Sequence, residues 1–200
     1  EDQDGNYVPK KVTDPDEPDT YLNSVTLNGV NEIEPFTFTG CSKLQSVAVI
    51  GATKLDDYAF GCEETLNANG TIDISNECES LTQVTLGSQI VETGKRPFKG
   101  CQNLTNIECL GNNLAYQDGI LYNLNDGKKT IVECLPGRGD TVGSYTVGPE
   151  ELADVTDIQP EAFMDCNEIG KVDLSTTTVT DIPENCFDNT DSLNSVVLPD

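Results

Sequence analysis

Apolar residues return along the chain at a regular spacing. A triplet at positions i, i+3 and i+5 occurs seven times, and its first members are 22, 37, 23, 38, 27 and 24 residues apart. The triplets begin at Leu22, Leu44, Leu81, Leu104, Val142, Ile169 and Leu193. The last two members alternate with polar residues, which predicts one short strand in each copy. The basic period is therefore about 23 residues, with two insertions of roughly 15.

A second pattern precedes most of these strands. An apolar residue is followed five positions later by Phe, and Cys often stands three positions beyond it, as in Ile33, Phe38 and Cys41. The other copies are centred on Phe60, Phe98, Phe163 and Phe187, and Thr190 takes the Cys position of the last copy. The Phe segment suits a tight helical turn with Phe as its inward side chain.

Together the two patterns predict the fold. A strand and a turn of about 23 residues cannot enclose a core alone, so neighbouring copies must stack. We expect an α/β repeat protein over residues 21–200, a short solenoid with a parallel sheet on one face and short helical turns opposite.

Two insertions interrupt the predicted array, at about 61–77 and 112–137. In the first, Thr71–Ile74 is predicted to form a short strand after the Asn69-Gly70 turn. In the second, Asn125-Asp126-Gly127 separates two apolar runs and is typical of a hairpin turn. We expect that hairpin to project from the solenoid near 115–135.

Residues 1–20 differ from the rest of the chain. They include seven acidic residues, three Pro and almost no apolar side chains. Such a segment buries too little surface to offset the entropy lost on ordering, so it is predicted to be a flexible acidic linker. It lacks the charged and apolar regions of a signal peptide.

The units GCSKLQSVAV, GCQNLTNIEC and DCNEIGKVDL, each preceded by Phe, resemble BspA-like bacterial leucine-rich repeats. The resemblance covers about residues 21–200, and the second insertion is similar to the β-hairpin that often interrupts arrays of this family. It implies an exported, cell-surface or extracellular bacterial protein that takes part in adhesion or in binding host proteins. More familiar leucine-rich repeats use an inward Asn where this chain has Phe and Cys. The functions of plant or Toll-type receptors are therefore not transferred to this chain.

Composition excludes several functions. The net charge is −24, and the chain has no His and no Trp. Without imidazole there is no Ser-His-Asp triad, Cys-His dyad or His-ligated metal. The charge repels nucleic acid and anionic membranes, and apolar runs of four or five residues are too short to span a bilayer. No cofactor is expected.

The eight Cys residues are interpreted mainly as core residues. Cys41, Cys78, Cys101 and Cys166 share one inward repeat position, where Cys acts as a small apolar side chain. Cys109 and Cys186 replace apolar repeat residues and are also expected to be buried. The candidate disulfides, if bridges form, are Cys62–Cys78 and Cys109–Cys134.

Short acidic and loop motifs give weaker signals. Adjacent carboxylates occur at Asp56-Asp57, Glu63-Glu64 and Glu150-Glu151, but neighbours in sequence seldom converge across a cleft as a glycosidase requires. Arg138, Gly139 and Asp140 form the tripeptide that integrins recognise, in a region where Gly-rich turns are expected anyway.

The outward strand positions define the predicted binding face. Its central members are Gln45, Ser46, Thr82, Gln83, Thr85, Thr105, Asn106, Glu108, Lys171 and Asp173. They form either a plain hydrogen-bonding ladder or a shallow polar surface for an extracellular protein or glycan.

We therefore expect a non-enzymatic, adhesion-type interaction module. A structural spacer in a larger surface protein is the main alternative, and a carboxylate-based glycosidase is the second. The final repeat strand is followed only by Leu198-Pro199-Asp200, with no polar cap. We therefore expect a chain cut within a longer array, or end-to-end association; a dedicated cap over 175–200 would contradict this.

Overall fold

A computed structural model describes residues 23–61, 65–66, 72–73, 78–135 and 145–200 of the chain. The chain divides into two compact units, Glu1–Gly111 and Asn112–Asp200, called the first and second unit below. The strands are β1 (Ser24–Leu27), β2 (Glu32–Ile33), β3 (Ser46–Val49), β4 (Lys54–Leu55), β5 (Thr65–Leu66), β6 (Ile72–Asp73), β7 (Gln83–Leu86), β8 (Glu92–Thr93), β9 (Asn106–Cys109), β10 (Leu114–Gln117), β11 (Ile120–Asn123), β12 (Thr130–Cys134), β13 (Tyr145–Val147), β14 (Asp157–Ile158), β15 (Ile169–Asp173) and β16 (Ser195–Val197), and a 3-10 turn covers Asn125–Gly127.

The main sheet of the first unit is parallel and has the order β1-β3-β7-β9. Its register aligns equivalent repeat positions, so that Val47 lies beside Val84, and Val84 beside Ile107. These three side chains are at most 4% exposed. The i+3 and i+5 members of the triplets therefore point into the core, as predicted.

A second parallel sheet, with the order β2-β4-β8, was not predicted. Its strands have two residues each, and the inward members are Ile33, Leu55 and Thr93. These are the positions five residues before the Phe of each copy. Two parallel sheets make this unit a β-solenoid, which corrects the expected α/β class.

The segment around each Phe is not helical. The residue two positions before the Phe has a positive φ in all five copies, at Phe36, Tyr58, Arg96, Glu161 and Asn185. The residue two positions after it is also left-handed at Gly40, Gly100, Asp165 and Asn189. Four-residue turns closed by bonds such as Cys101 N–H to Phe98 O, 3.0 Å, surround these residues. A left-handed third residue is typical of a type II turn and interrupts a helix, so the predicted helical turns are wrong.

The Phe side chains stack through the first unit. Phe60 lies between Phe38 and Phe98, with ring centroids 4.5 and 4.9 Å apart. Cys78 donates from its thiol to the carbonyl oxygen of Phe38 at 3.2 Å. The repeat Cys thus fills core space and also pairs with a buried carbonyl of the preceding copy.

In the second unit, the insertion forms a three-stranded meander. Asp118 and Gly119 join β10 to β11 with φ of 50° and 75°, as a two-residue type I′ hairpin requires. The 3-10 turn at Asn125–Gly127 joins β11 to β12, so the predicted hairpin turn is confirmed.

The predicted projection of the hairpin is wrong. Strand β12 pairs in parallel with β14, with Ile131 beside Ile158, and Ile131 is fully buried. The N–H of Cys134 donates to Ala162 O at 2.7 Å, which matches the 2.7 Å bond from Phe60 N–H to Pro97 O in the first unit. Cys134 therefore occupies the position of a repeat Phe, and β12 replaces one copy of the stack.

The remaining strands form one sheet that follows the repeat and one pair inside the first insertion. The order β13-β15-β16 forms a parallel sheet in the second unit, and β5 pairs antiparallel with β6 in the first insertion. The predicted strand within Thr71–Ile74 is thus present as Ile72–Asp73. Residues 175–200 carry the same turns and strand as earlier copies and do not form a dedicated cap.

Candidate binding surface

The outward side of the main sheet in the first unit is polar. Each copy contributes the residue before its strand and two outward strand residues. We call this set the polar face: Asn23, Ser24, Thr26, Gln45, Ser46, Ala48, Thr82, Gln83, Thr85, Thr105, Asn106 and Glu108. It contains one charged residue in a chain of net charge −24, so the acidic residues lie elsewhere.

Rows of the polar face run across the strands. Ser24, Ser46, Gln83 and Asn106 are register partners along one row. Adjacent strands lie about 4.8 Å apart, so each row repeats polar groups at that interval. Sheet pairing and the buried Val47, Val84 and Ile107 beneath hold these side chains in register.

Some hydroxyls of the polar face bond to each other. Ser46 Oγ donates to Ser24 Oγ at 2.9 Å, and Thr85 Oγ1 donates to Glu108 Oε2 at 3.3 Å. Ser46 and Thr85 are accordingly half-buried, whereas Gln83 and Asn106 are exposed. The face therefore combines an internal ladder with outward amide groups that a partner can reach.

The structure places the predicted site residues that it describes in two locations. Eight of them, Gln45, Ser46, Thr82, Gln83, Thr85, Thr105, Asn106 and Glu108, lie together on the polar face. Lys171 and Asp173 lie on β15 of the second unit. Arg138, Gly139 and Asp140 lie outside the described residues.

Lys171 and Asp173 form a local ion pair. Lys171 Nζ lies 2.9 Å from Asp173 Oδ2, while Ser175 donates to Asp173 Oδ1 from its hydroxyl at 2.6 Å and its N–H at 3.1 Å. These bonds, Ser175 first and Lys171 second, lower the pKa of Asp173 to about 2. The Asp173 carboxyl therefore stays ionised over the whole physiological range.

Three charged residues at the second sheet of the first unit form ion pairs that the sequence pattern did not predict. Lys54 Nζ lies 2.7 Å from Glu32 Oε1 and 3.2 Å from Asp56 Oδ2. The bonds to Glu32 and Asp56 raise the pKa of Lys54. Lys54 and Glu32 are 22 residues apart, which is one repeat step. The spacing predicts this ion pair only when the second sheet, which aligns equivalent positions of successive copies, is known.

The adjacent carboxylates within the described residues make separate contacts. Asp56 bonds to Lys54, whereas Asp57 Oδ1 accepts the N–H of Lys95 at 2.9 Å. Glu151 accepts the N–H of Gly148 at 2.6 Å and the hydroxyl of Tyr145. Asp56, Asp57 and Glu151 thus bond to different groups, and Glu63-Glu64 lies outside the described residues.

The cysteines are thiols in the part of the chain that the structure describes. Cys109 and Cys134 are both thiols, so the Cys109–Cys134 bridge is not formed. Of the other candidate pair, Cys78 is a thiol and Cys62 lies outside the described residues. Cys78, Cys101, Cys166 and Cys186 are buried, as expected. Cys41 and Cys109, which were also expected to be buried, are only half-buried. Cys109 lies on β9, which is the edge strand of its sheet.

Metal-ion clusters and membrane-spanning helices are both absent from the described residues. They contain no group of three or more Cys, Asp or Glu side chains arranged to hold a metal ion. None of them forms a helix with the length and hydropathy needed to cross a membrane.

Comparison with known proteins supports the repeat assignment. The family of the BspA type leucine rich repeat region matches residues 19–74, 72–133 and 150–200, in six copies. No curated protein matches the chain.

Three crystal structures are similar to the chain. A leucine-rich cell surface protein from Faecalibacterium prausnitzii aligns at 16% identity and a TM-score of 0.44, over 90% of this chain and 60% of its own. A leucine-rich repeat protein from Eubacterium ventriosum gives 15% and 0.41, over 88% and 66%. The pneumococcal vaccine antigen PcpA gives 12% and 0.38, over 92% and 62%. The chain thus spans less than two thirds of the length of each of these proteins.

Proposed function

The chain belongs to the BspA-type leucine-rich repeat family, and we propose that it is a non-enzymatic, adhesion-type interaction module at the cell surface or outside the cell. The polar face is the proposed binding surface. Its partner is an extracellular protein or a glycan.

One observation carries this proposal: four parallel strands hold rows of polar side chains in exact register on an open sheet. Gln45, Thr82, Gln83, Thr105 and Asn106 are exposed there. Their amide and hydroxyl groups both donate and accept hydrogen bonds. Repeats at about 4.8 Å suit an extended ligand that makes many weak bonds along the face.

The charge distribution supports a neutral partner surface. The polar face carries only the carboxylate of Glu108, while the second sheet carries Glu32, Asp56 and Glu92 around Lys54. A ligand on the polar face therefore avoids most of the chain's negative charge. Polar contacts of this type favour specificity over tight binding by any single residue.

A screen of the purified chain against immobilised extracellular-matrix proteins and a glycan array tests the proposal. Saturable binding to a member of either panel is the expected result. An Asp140→Ala variant should retain that binding, which separates the polar face from the Arg-Gly-Asp tripeptide. If the chain binds nothing in either panel, the structural spacer is favoured. If Asp140→Ala loses the binding, the Arg-Gly-Asp tripeptide is the binding site and the polar face is not.

A further inference from the structure

The outward groups of the polar face form a grid with two different spacings. Across the strands, Gln83 and Asn106 are register partners, and both are exposed. Equivalent groups in that direction recur at about 4.8 Å. Along one strand, outward residues such as Gln83 and Thr85 recur at about 6.6 Å, because side chains alternate between the two faces of a sheet. A ligand that bonds to every strand must therefore repeat its own polar groups at about 4.8 Å.

An extended polypeptide does not match this interval. A β-strand laid across the face presents same-side groups about every 6.6 Å, so it is out of step with the grid after one strand. A polyproline II helix presents one side about every 9.3 Å and meets only every second strand. A linear β-1,4-linked glycan matches better, because each pyranose ring advances the chain by about one strand spacing and carries hydroxyl groups.

The hydrogen-bonding groups of the polar face suit sugar hydroxyls. The amides of Gln83 and Asn106 each offer a donor and an acceptor at neighbouring positions. Thr82 Oγ1 donates to the carbonyl oxygen of Gln45 at 3.2 Å, which directs its acceptor positions away from that carbonyl. A sugar hydroxyl both donates and accepts, so it bonds to either kind of group. Since the polar face has no aromatic side chain, the sugars bind through their hydroxyl edges and not by stacking of their ring faces.

Charge disfavours an acidic glycan at this surface. The chain has a net charge of −24, and the charged residue of the polar face is the carboxylate Glu108. Both repel the sulfate or carboxylate groups of an acidic glycan. A neutral glycan has no such cost, and Glu108 Oε2 already accepts the hydroxyl of Thr85 at 3.3 Å.

We propose that the polar face binds a neutral, linear β-1,4-linked glycan that lies across β1, β3, β7 and β9, with one sugar over each strand. The hydroxyl edges of successive sugars bond to the amides of Gln83 and Asn106 and to the hydroxyls of Thr82 and Thr105. Strand pairing already holds these groups at their spacing, so little further ordering is needed on binding. This inference rests on the proposed function, because it names the partner of the same surface.

NMR titration of the nitrogen-15-labelled chain, followed at the side-chain amides of Gln83 and Asn106, tests this inference. The probes are the β-1,4-linked tetramers of glucose and of N-acetylglucosamine, and maltotetraose, the α-1,4-linked glucose tetramer, is the linkage control. At least one β-1,4 tetramer should bind tenfold more tightly than maltotetraose and tenfold more tightly than its own disaccharide. Equal binding of maltotetraose would overturn the match to the strand spacing, and equal binding of the disaccharide would overturn one sugar per strand.

Variants of the intact chain locate the contact. Gln83→Ala combined with Asn106→Ala should weaken binding of the β-1,4 tetramer at least tenfold. Gln89→Ala combined with Gln102→Ala is the matched control, because it removes two exposed amides of the first unit that lie outside the polar face. The control should bind as the native chain does, and equal affinities of the two double variants would overturn the proposed site.

The same variants separate this inference from the proposed function. If a matrix protein binds the chain and loses affinity in the Gln83 and Asn106 double variant, while neither β-1,4 tetramer binds, the polar face is a protein-binding surface. The proposed function then stands and the glycan inference is overturned. If neither the proteins nor the glycans bind, both are overturned.

Discussion

The hydroxyl of Thr190 donates a hydrogen bond to the carbonyl oxygen of Phe163 at 2.7 Å. Thr190 occupies the repeat position that Cys78 holds in the first unit, and Cys78 donates to Phe38 in the same way. Thr can replace Cys at this position because both side chains are small and each carries a hydrogen-bond donor. The position therefore selects a compact donor that pairs with a buried carbonyl of the preceding copy.

This relationship predicts the effect of removing the donor. Thr190→Val keeps the shape of the side chain but leaves the Phe163 carbonyl without that bond, and should lower the free energy of unfolding by about 1–3 kcal/mol. Thr190→Cys should cost less, since a thiol restores a donor. Urea unfolding measures both changes. Thr178→Val, at an exposed site, is the control, and an equal loss there would contradict the explanation.

The left-handed turns give a second prediction. Gly100 has φ of 80°, where a Cβ is strained, so Gly100→Ala should lower the free energy of unfolding by about 1–2 kcal/mol. Gly148→Ala is the matched control, because the nearest atom to its added Cβ, Glu151 Oε2, is 3.9 Å away. Thermal or urea unfolding of the two variants should separate them, and equal stabilities would argue against strain at Gly100.

Part of this fold follows from sequence pattern alone. The strands at Val47, Val84 and Ile107 were predictable because inward and outward residues alternate along them. The strands at Ile33 and Leu55 have two residues each, which is too short for alternation to appear. Their pairing depends on the stacking of successive copies, and a local pattern does not contain that information.

The turn conformations and the pairing of the inserted hairpin with β14 were also not predictable from local sequence pattern. Phe36 and Tyr58 adopt a left-handed backbone although neither is Gly or Asn, so residue type gave no signal. Cys134 takes the place of a repeat Phe because β12 pairs with β14, a contact between segments more than 20 residues apart. The outward residues of the polar face were predicted from strand alternation. The identity of a binding partner was not, because it depends on the chemistry of a second molecule.

Asp173 provides a prediction on pH. Its pKa is lowered from 3.8 to about 2, by Ser175 first and then Lys171. Because the folded carboxyl is the stronger acid, its contribution to stability is present above about pH 4 and is lost as the pH falls toward 2. Carbon-13 NMR titration should find the pKa near 2 in the native chain and closer to 3.8 in Ser175→Ala. An Asp173 pKa that is unchanged in Ser175→Ala would show that the bonds from Ser175 do not lower it.

Cys186 provides a prediction on reactivity. It is 2% exposed, and burial raises the pKa of its thiol to about 12. Since the thiolate is the nucleophile, iodoacetamide should modify Cys186 only when the chain unfolds. Mass spectrometry after timed labelling at pH 8 should show half-buried Cys41 reacting before Cys186. Modification of Cys186 as fast as Cys41 in the folded chain would contradict this assignment.

Binding through the polar face is the central claim, and one affinity comparison tests it most directly. Gln83→Arg places a long charged side chain in the middle of the polar face, whereas Gln102→Arg makes the same change at an exposed turn residue outside it. Both affinities are measured by surface plasmon resonance for the matrix protein or glycan that the screen identifies. We predict binding at least tenfold weaker for Gln83→Arg and unchanged for Gln102→Arg. Equal affinities of the two variants would contradict binding through the polar face.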